Sequence, residues 1–341
     1  MRIIEFMGPD ASIAVPVVGD GGRERVIESL AVSLSAFEKV ESVTLIAQSG
    51  SYLDRVTIQP VRFQNGLDPA KVLNDAKDAC GKALECDILH VHHPAYLPAR
   101  EFISARKVIL THHGAILHPL NFAADGITFV SHFLRGWMCR DEQRSEGPQI
   151  RAIHNPVEPM TRVSGSTLGE RAPIGFMGAL DKSVKRVDIA LALAKALRVP
   201  LWLAGPCEPD FLNAHVLPQM GVGSRYLGEV AGESRRAFFE NVTCMVCPND
   251  SPEAFCLVAA EAMIMGVPVL GSTGGALPEV VEHGISGYVC ANLDDYVQGY
   301  RLLADLDREQ CSQSAHARFC PQRISAEYLN FFQDVLDEND L

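Results

Sequence analysis

Short apolar runs of strand length alternate with amphipathic stretches of helical length along almost the whole chain, and no single motif constrains its fold as tightly. Strand-like runs lie at Ile3–Met7, Ser42–Ala47, Ile88–His92, Val108–Thr111 and Gly126–Val130. A second series follows Pro156, at Ile174–Met177, Leu201–Ala204, Ser224–Leu227, Cys244–Cys247, Pro268–Leu270 and Gly287–Val289. A stretch opening near Gly22 carries Val26, Ile27, Leu30, Ala31 and Leu34 at helical spacing, and Val187–Leu197, Ser234–Asn241 and Leu257–Met265 read as helices. This steady succession is the signature of parallel sheets built from βαβ units. At 341 residues the chain is too long for one ordinary core and suits two such domains. Pro156–Pro173, rich in Pro, Ser, Thr, Gly and charge, has the composition of an interdomain linker. Ile324–Leu336 is amphipathic, with Tyr328, Leu329, Phe332 and Val335 on its packed face.

Composition narrows the function classes. A hydrophobic share of 47% with 21% charged residues is the balance of a globular enzyme. The net charge of −12 argues against a nucleic-acid binder, which needs a basic face, and no polybasic cluster marks a strong lipid anchor. The opening run Met1–Met7 holds an acid, Glu5, and reads as a buried first strand rather than a signal peptide; no apolar stretch approaches the ~20 residues of a spanning helix. Ten cysteines without a secretion signal fit reduced thiols and a cytoplasmic location, with peripheral membrane contact left open. Cys244 and Cys247 form a C-x-x-C pair inside an apolar run, where thiols act as small hydrophobes. His90, His92 and His93 resemble a metal cluster, but no carboxylate or cysteine partner is evident, so no metal site is expected.

The informative segment is Pro248-Asn249-Asp250-Ser251-Pro252-Glu253-Ala254-Phe255-Cys256-Leu257-Val258-Ala259-Ala260-Glu261. A strand ends, a turn follows, and a helix starts near Leu257, so Glu253 sits on the loop and Glu261 inside the helix. That is the crevice at the carboxyl end of a parallel sheet, where open α/β folds bind ligands. Free N–H groups around Phe255–Val258 suit hydroxyls or a pyrophosphate, and two carboxylates accept hydrogen bonds from the vicinal diols of sugar and ribose rings.

Glu253 and Glu261, eight positions apart, resemble the paired-glutamate motif of the retaining GT-B glycosyltransferases (glycosyltransferases group 1). The similarity continues through Gly266-Val267-Pro268, Gly274-Gly275, Pro278-Glu279-Val280 and His283-Gly284, upstream through Ile174–Leu180, and weakly through Gly21-Gly22-Arg23-Glu24-Arg25 and Thr111-His112-His113-Gly114. It implies two Rossmann-like α/β domains with parallel sheets facing across a cleft: 1–158 on the acceptor side, 159–320 binding the nucleotide sugar, and a helix in 321–341 packing back on the first. It implies that Glu261 holds the donor ribose, and that Glu253 binds hydroxyls of the transferred sugar, helped by the backbone of Phe255, Cys256 and Leu257. Lys185 matches the lysine that neutralises the diphosphate, and Gly178 belongs to the same upstream block. The Gly19-Asp20-Gly21-Gly22 loop would close over the phosphates, His113 would lie near the anomeric carbon, and the nucleobase would meet the backbone around Tyr226–Val230.

The chain departs from the family pattern twice. Ala179 stands where the family has Arg, and losing such a contact costs ~1.5–3 kcal/mol unless Lys182 or Arg186 compensates. Cys256 stands where the family has Gly, so a side chain enters a place where backbone approaches sugar. The resemblance implies a hexose-type sugar moved with retention from a UDP- or GDP-linked donor to a carbohydrate, lipid-linked or small-molecule acceptor, with no cofactor and no metal. The two departures motivate an alternative, a degenerate sugar-nucleotide-binding scaffold; a phosphorylase or sucrose-synthase-like enzyme is a third.

Overall fold

The computed structural model describes residues 1–7, 12–17, 21–64, 67–81, 84–114, 123–140, 148–160, 172–250 and 252–338. Gly19 and Asp20 of the glycine loop, Ser251 and most of the expected linker (161–171) lie outside the described residues. Strands β1 (Arg2–Phe6), β2 (Ser42–Gln48), β3 (Thr57–Val61), β4 (Leu84–Val91), β5 (Ile103–His112), β6 (Gly126–Phe129) and β7 (Gln149–Ala152) form one sheet in the order β3-β2-β1-β4-β5-β6-β7. Every pairing in it is parallel. Helices α1 (Gly22–Leu34), α2 (Pro69–Cys80) and α3 (His132–Cys139) belong to this part of the chain.

A second all-parallel sheet holds β8 (Ile174–Met177), β9 (Leu201–Ala204), β10 (Arg225–Tyr226), β11 (Met245–Cys247), β12 (Val269–Ser272) and β13 (Gly287–Cys290), in the order β10-β9-β8-β11-β12-β13. Its helices are α4 (Val187–Leu197), α5 (Pro209–Phe211), α6 (Gly232–Asn241), α7 (Leu257–Ile264), α8 (Leu277–Val280), α9 (Leu293–Leu302) and α10 (Arg308–Phe319), and α11 (Pro321–Asp337) follows. The result is the pair of Rossmann-like α/β domains that the alternation leads one to expect.

The strands absent from the sequence reading are instructive. β3 and β7 are the two edges of the first sheet. Sheet edges tolerate polar residues and proline, and β3 (TIQPV) has both while β7 (QIRA) alternates polar and apolar residues, so neither shows the apolar run of a central strand. By contrast β1 is buried at four of its five positions, because a parallel strand is covered on both faces.

The chain divides into two compact units, Met1–Pro156 with Pro321–Leu341, and Val157–Cys320. The first unit is therefore discontinuous. Tyr328, Phe331, Phe332 and Val335 of α11 are buried in one core with Ile3, Ile27, Leu30 and Leu45. The amphipathic stripe of α11 is what ties it there, and burying four such side chains contributes on the order of 6–12 kcal/mol before entropy is counted. The second unit has its own core of Ile174, Phe176, Leu191, Leu203, Val246 and Leu270.

Each sheet reverses its strand order once, between β1 and β4 in the first and between β8 and β11 in the second. At such a point the loops leaving neighbouring strands run to opposite faces, and a crevice opens between them.

Candidate active site

In the second unit the loops after β8 and β11 meet at that reversal. Asp250 donates its N–H to the Val184 carbonyl at 2.8 Å, and Ser272 Oγ donates to the Asn249 carbonyl at 2.5 Å, so the loop after β11 is held from both sides. Ala276 N–H donates to the Glu253 carbonyl at 2.9 Å. Gly275 makes that clasp possible: its φ is +61°, and a Cβ there would stand 2.4 Å from the Glu253 carbonyl oxygen. Glycine is required because two backbones touch.

Glu253, so fixed, accepts from Lys185 Nζ and from Asn249 Nδ2, both at 2.6 Å and both on Oε2. Burial would lower the Lys185 pKa, but the Glu253 carboxylate outweighs it and holds the ammonium above its ordinary value. Glu253 Oε1 has no hydrogen-bond partner among the described residues. Cys256 precedes α7 with φ 70° and ψ 72°, the left-handed conformation that glycine adopts freely. The cysteine thus keeps a glycine's backbone at a cost of about 1 kcal/mol. No described residue accepts from the N–H groups of Cys256, Leu257 and Val258, the donors every helix start leaves open. Glu261, buried in α7, pairs with Arg235 of α6.

The other expected residues fall into place as follows. Phe255 packs its ring edge-on against Phe319 at 5.5 Å, so it belongs to the core and has only its backbone to offer. Leu257 is half-buried. Gly178 lies beside the Lys185 stem. Lys182 is exposed and makes no ion pair among the described residues, whereas Arg186 is committed to Asp188 at 2.9 Å and Asp250 at 3.2 Å. Hydrogen bonds donated to Asp188 first, then to Asp250, raise the Arg186 pKa further. Of the two cations expected to replace the missing arginine, one is already engaged. Tyr226 Oη donates to the Gly205 carbonyl at 2.9 Å, and Val230 is half-buried just before α6. Asn249 and Arg235 escaped the sequence reading. Asn249 passes for a turn former, and Arg235 for surface charge on a polar helix.

Gly21, Gly22 and His113 belong to the first unit, where the reversal between β1 and β4 is filled differently. Glu5 of β1 stands opposite His90 of β4 and accepts from His90 Nδ1 at 2.9 Å and from His92 Nε2 at 2.8 Å. Here the sequence reading is corrected: the histidines do have a carboxylate partner, hidden in an apolar strand 85 residues away. Glu5, His90 and His92 form the one group of three among the described residues whose ligand-type atoms lie within 4.8 Å. Glu5 already bonds both imidazoles at hydrogen-bond distance, a geometry of shared protons. His93 instead caps the following helical segment by accepting from Ala95 N–H at 3.2 Å. His113 Nε2 lies 2.9 Å from His92 Nδ1. His112 stacks on Phe129 at 5.1 Å, and neither of its ring nitrogens finds a partner among the described residues.

The C-x-x-C pair behaves as expected of packed thiols. Cys244 and Cys247 are buried and free; burial pushes Cys244 up to about 12, and a hydrogen bond with Cys256 together with burial pushes Cys247 well up. No helix among the described residues is long and apolar enough to cross a membrane.

Known proteins resemble this chain in sequence and in fold. Residues 171–305 match the family model described as glycosyl transferases group 1. The chain is 28% identical over 298 residues to N-acetyl-alpha-D-glucosaminyl L-malate synthase of Bacillus anthracis, covering 74% of this chain and 76% of that one. Its fold is similar to that of AviGT4, a glycosyltransferase involved in avilamycin A biosynthesis, with a TM-score of 0.75, 23% identity and 98% of each chain covered. HepE of Anabaena, solved with UDP and glucose, gives a TM-score of 0.70 at 16% identity, over 98% of this chain and all of that one. The stretch that holds Lys185, Glu253 and Glu261 thus has the sequence of a glycosyl transferases group 1 domain, set in a chain with the two-domain GT-B fold.

Proposed function

We propose that this protein is a retaining glycosyltransferase, moving a hexose-type sugar from a nucleoside-diphosphate sugar to an acceptor hydroxyl without a metal ion. The observation that carries the reading is the Lys185–Glu253 pair at the strand reversal, with Glu261 inside the next helix, all within the group 1 stretch. Glu261 binds the ribose diol, and Glu253 offers Oε1 to hydroxyls of the transferred sugar. Lys185, released from Glu253 toward the donor, neutralises the diphosphate together with the open N–H groups of Cys256–Val258. Donors aimed at a leaving group act most strongly where water is excluded. The sugar passes through an oxocarbenium-like state, the acceptor hydroxyl attacks from the face the diphosphate leaves, and a leaving phosphate oxygen takes its proton. We place the enzyme in the cytoplasm, which its free thiols suit.

HepE was solved with UDP, which makes a uridine donor the first to try. The Bacillus relative is named for a product that joins a sugar to malate, so small acidic acceptors belong in the same trial. A thermal-shift series with UDP, GDP, ADP and their sugars, followed by transfer assays, tests the reading. A ligand at 100 times its Kd adds about 2.7 kcal/mol of stability, and one base should stand out. Failure of every nucleotide to raise the melting temperature would sink the proposal. A second reading, the non-catalytic scaffold, is favoured by Ala179 and by the engagement of Arg186 with two acids. Saturable nucleotide-sugar binding without transfer to any acceptor would select it.

A further inference from the structure

The buried chain Glu5–His92–His113 fixes hydrogen positions that no proton needs to be seen to assign. Glu5 is fully buried; that alone would push its carboxyl up, but the neighbouring His90 and the hydrogen bonds from His90 and His92 overcome it and hold it down to about 2. It is therefore an acceptor only. Both ring nitrogens that face it must then carry hydrogen, Nδ1 of His90 and Nε2 of His92. His92 is neutral, since burial first and His90 second lower its pKa to about 4. Its remaining nitrogen, Nδ1, is thus a lone pair, and the partner 2.9 Å away, His113 Nε2, must donate. His113 is itself held neutral by burial and by the surrounding His92, Arg23, His90 and His112. Its last nitrogen, Nδ1, is left as a lone pair without a hydrogen-bond partner among the described residues. On its other side, His90 Nε2 lies 2.7 Å from Thr111 Oγ1. Thr111 in turn contacts Thr128 Oγ1 at 2.5 Å and Tyr328 Oη at 3.4 Å.

We propose that Glu5 and His92 are positioning residues that lock His113 as the Nε2–H tautomer, so that its Nδ1 serves as a hydrogen-bond acceptor for a sugar hydroxyl. The ligand class rests on the glycosyltransferase reading; the lock does not. Two features support a purpose beyond packing. The network sits at the strand reversal of its sheet, where ligands are bound in such folds. It also runs from a sealed carboxylate to a half-buried imidazole, one end closed and one end reachable. A metal-bound histidine is oriented through its second nitrogen in the same manner, and loss of such a partner costs about 10–100-fold.

The test uses the full chain labelled with ¹⁵N-histidine and two-bond ¹H–¹⁵N correlation at neutral pH. The expected pattern is Nε2–H for both His92 and His113. A parent spectrum with His113 as Nδ1–H, or as a mixture, overturns the proposal at once, whatever happens to any variant. His92→Leu removes the acceptor and should let both His113 tautomers appear, while His92→Asn, whose Oδ1 takes the place of Nδ1, should restore the single form. Glu5→Gln weakens the anchoring bond, and a minor His92 tautomer should become visible. In transfer assays, His92→Leu should lose about 10–100-fold in kcat/KM and His92→Asn should recover most of it. Equal activity of the two variants would show that the lock does not serve the reaction. Because the spectra require no donor or acceptor, an inactive parent would refute the transferase reading while leaving the tautomer result to stand or fall separately.

Discussion

The two sheets share the order of their first six strands, to which the first adds β7, and use the common reversal point in opposite ways. Between β1 and β4 the first unit buries an acid and satisfies it with two imidazoles, short and stiff. Between β8 and β11 the second unit places an acid against a lysine, a flexible cation whose side chain keeps 31% of its exposure. The first arrangement is closed around Glu5, whose oxygens are taken up by His90 and His92, and only its far end at His113 is left open. The second is loose by comparison. A lysine that can swing to a diphosphate, and a carboxylate with one oxygen uncommitted, are what a site needs to exchange protein contacts for ligand contacts. Identical architecture therefore does not imply equal readiness to bind; the kind of counter-charge decides it.

The sharpest way to break this contrast is Lys185→Ala. If the lysine is held for a ligand rather than for the fold, transfer should fall by about 10²–10³-fold, as for loss of one donor to a developing charge. Stability should move by less than about 1 kcal/mol, because partly exposed pairs contribute little. Urea unfolding beside the assay reads both, and a large loss of stability with transfer intact would invert the assignment.

The next effect belongs to the first unit and to acid. Burial depresses His92 and His112 to about 4 and His113 well below its ordinary value, so the unfolded chain takes up their protons before the folded one does. Stability should then hold above pH 6.5 and fall as the pH drops toward 4, by up to about 1.4 kcal/mol per pH unit for each histidine. The Glu5 carboxyl, depressed from 4.5 to about 2, adds a loss of the same sign at the lower end. Urea midpoints at pH 7, 6 and 5 would trace the slope, and a flat profile would mean that the histidines titrate as if exposed.

The smallest effect is expected from Cys256→Gly. Restoring glycine to a left-handed position relieves about 1 kcal/mol of strain but adds unfolded-chain freedom of similar size, so stability should change by less than about 1 kcal/mol in either direction. A shift above 2 kcal/mol would show that the contacts of Cys256 with Asn249 and Cys247 matter more than its backbone.

What the sequence discloses and what it hides divide along the same lines. Strand order is local, and apolar runs reveal it wherever a strand is buried on both faces; the edges β3 and β7 escape, as do the more polar first halves of β4 and β5 and the helices α2 and α3. The loop bearing Glu253 and the helix bearing Glu261 are local too, one turn signal followed by one helical run. Pairings are another matter. Lys185 meets Glu253 across 68 residues, and Arg235 meets Glu261 across 26, because sheet order and not chain order brings them together. Glu5 is the clearest case: an acid amid Ile3, Ile4, Phe6 and Met7 is visible in the sequence, but its partners come from a strand that becomes its neighbour only once the sheet reverses direction.

The discontinuity of the first unit bears on how the protein is made. As the chain leaves the ribosome, the segment from Val157 to Cys320 has all of its core before α11 has been synthesised. The earlier-made unit has to wait. Until residues 321–337 emerge, Ile3, Ile27 and Leu30 lack the aromatic side chains that close over them, and the nascent first half exposes a sticky surface. The order of birth and the order of completion are thus reversed, and any stalled or truncated product ending before α11 would be a client for chaperones even though its second domain is whole.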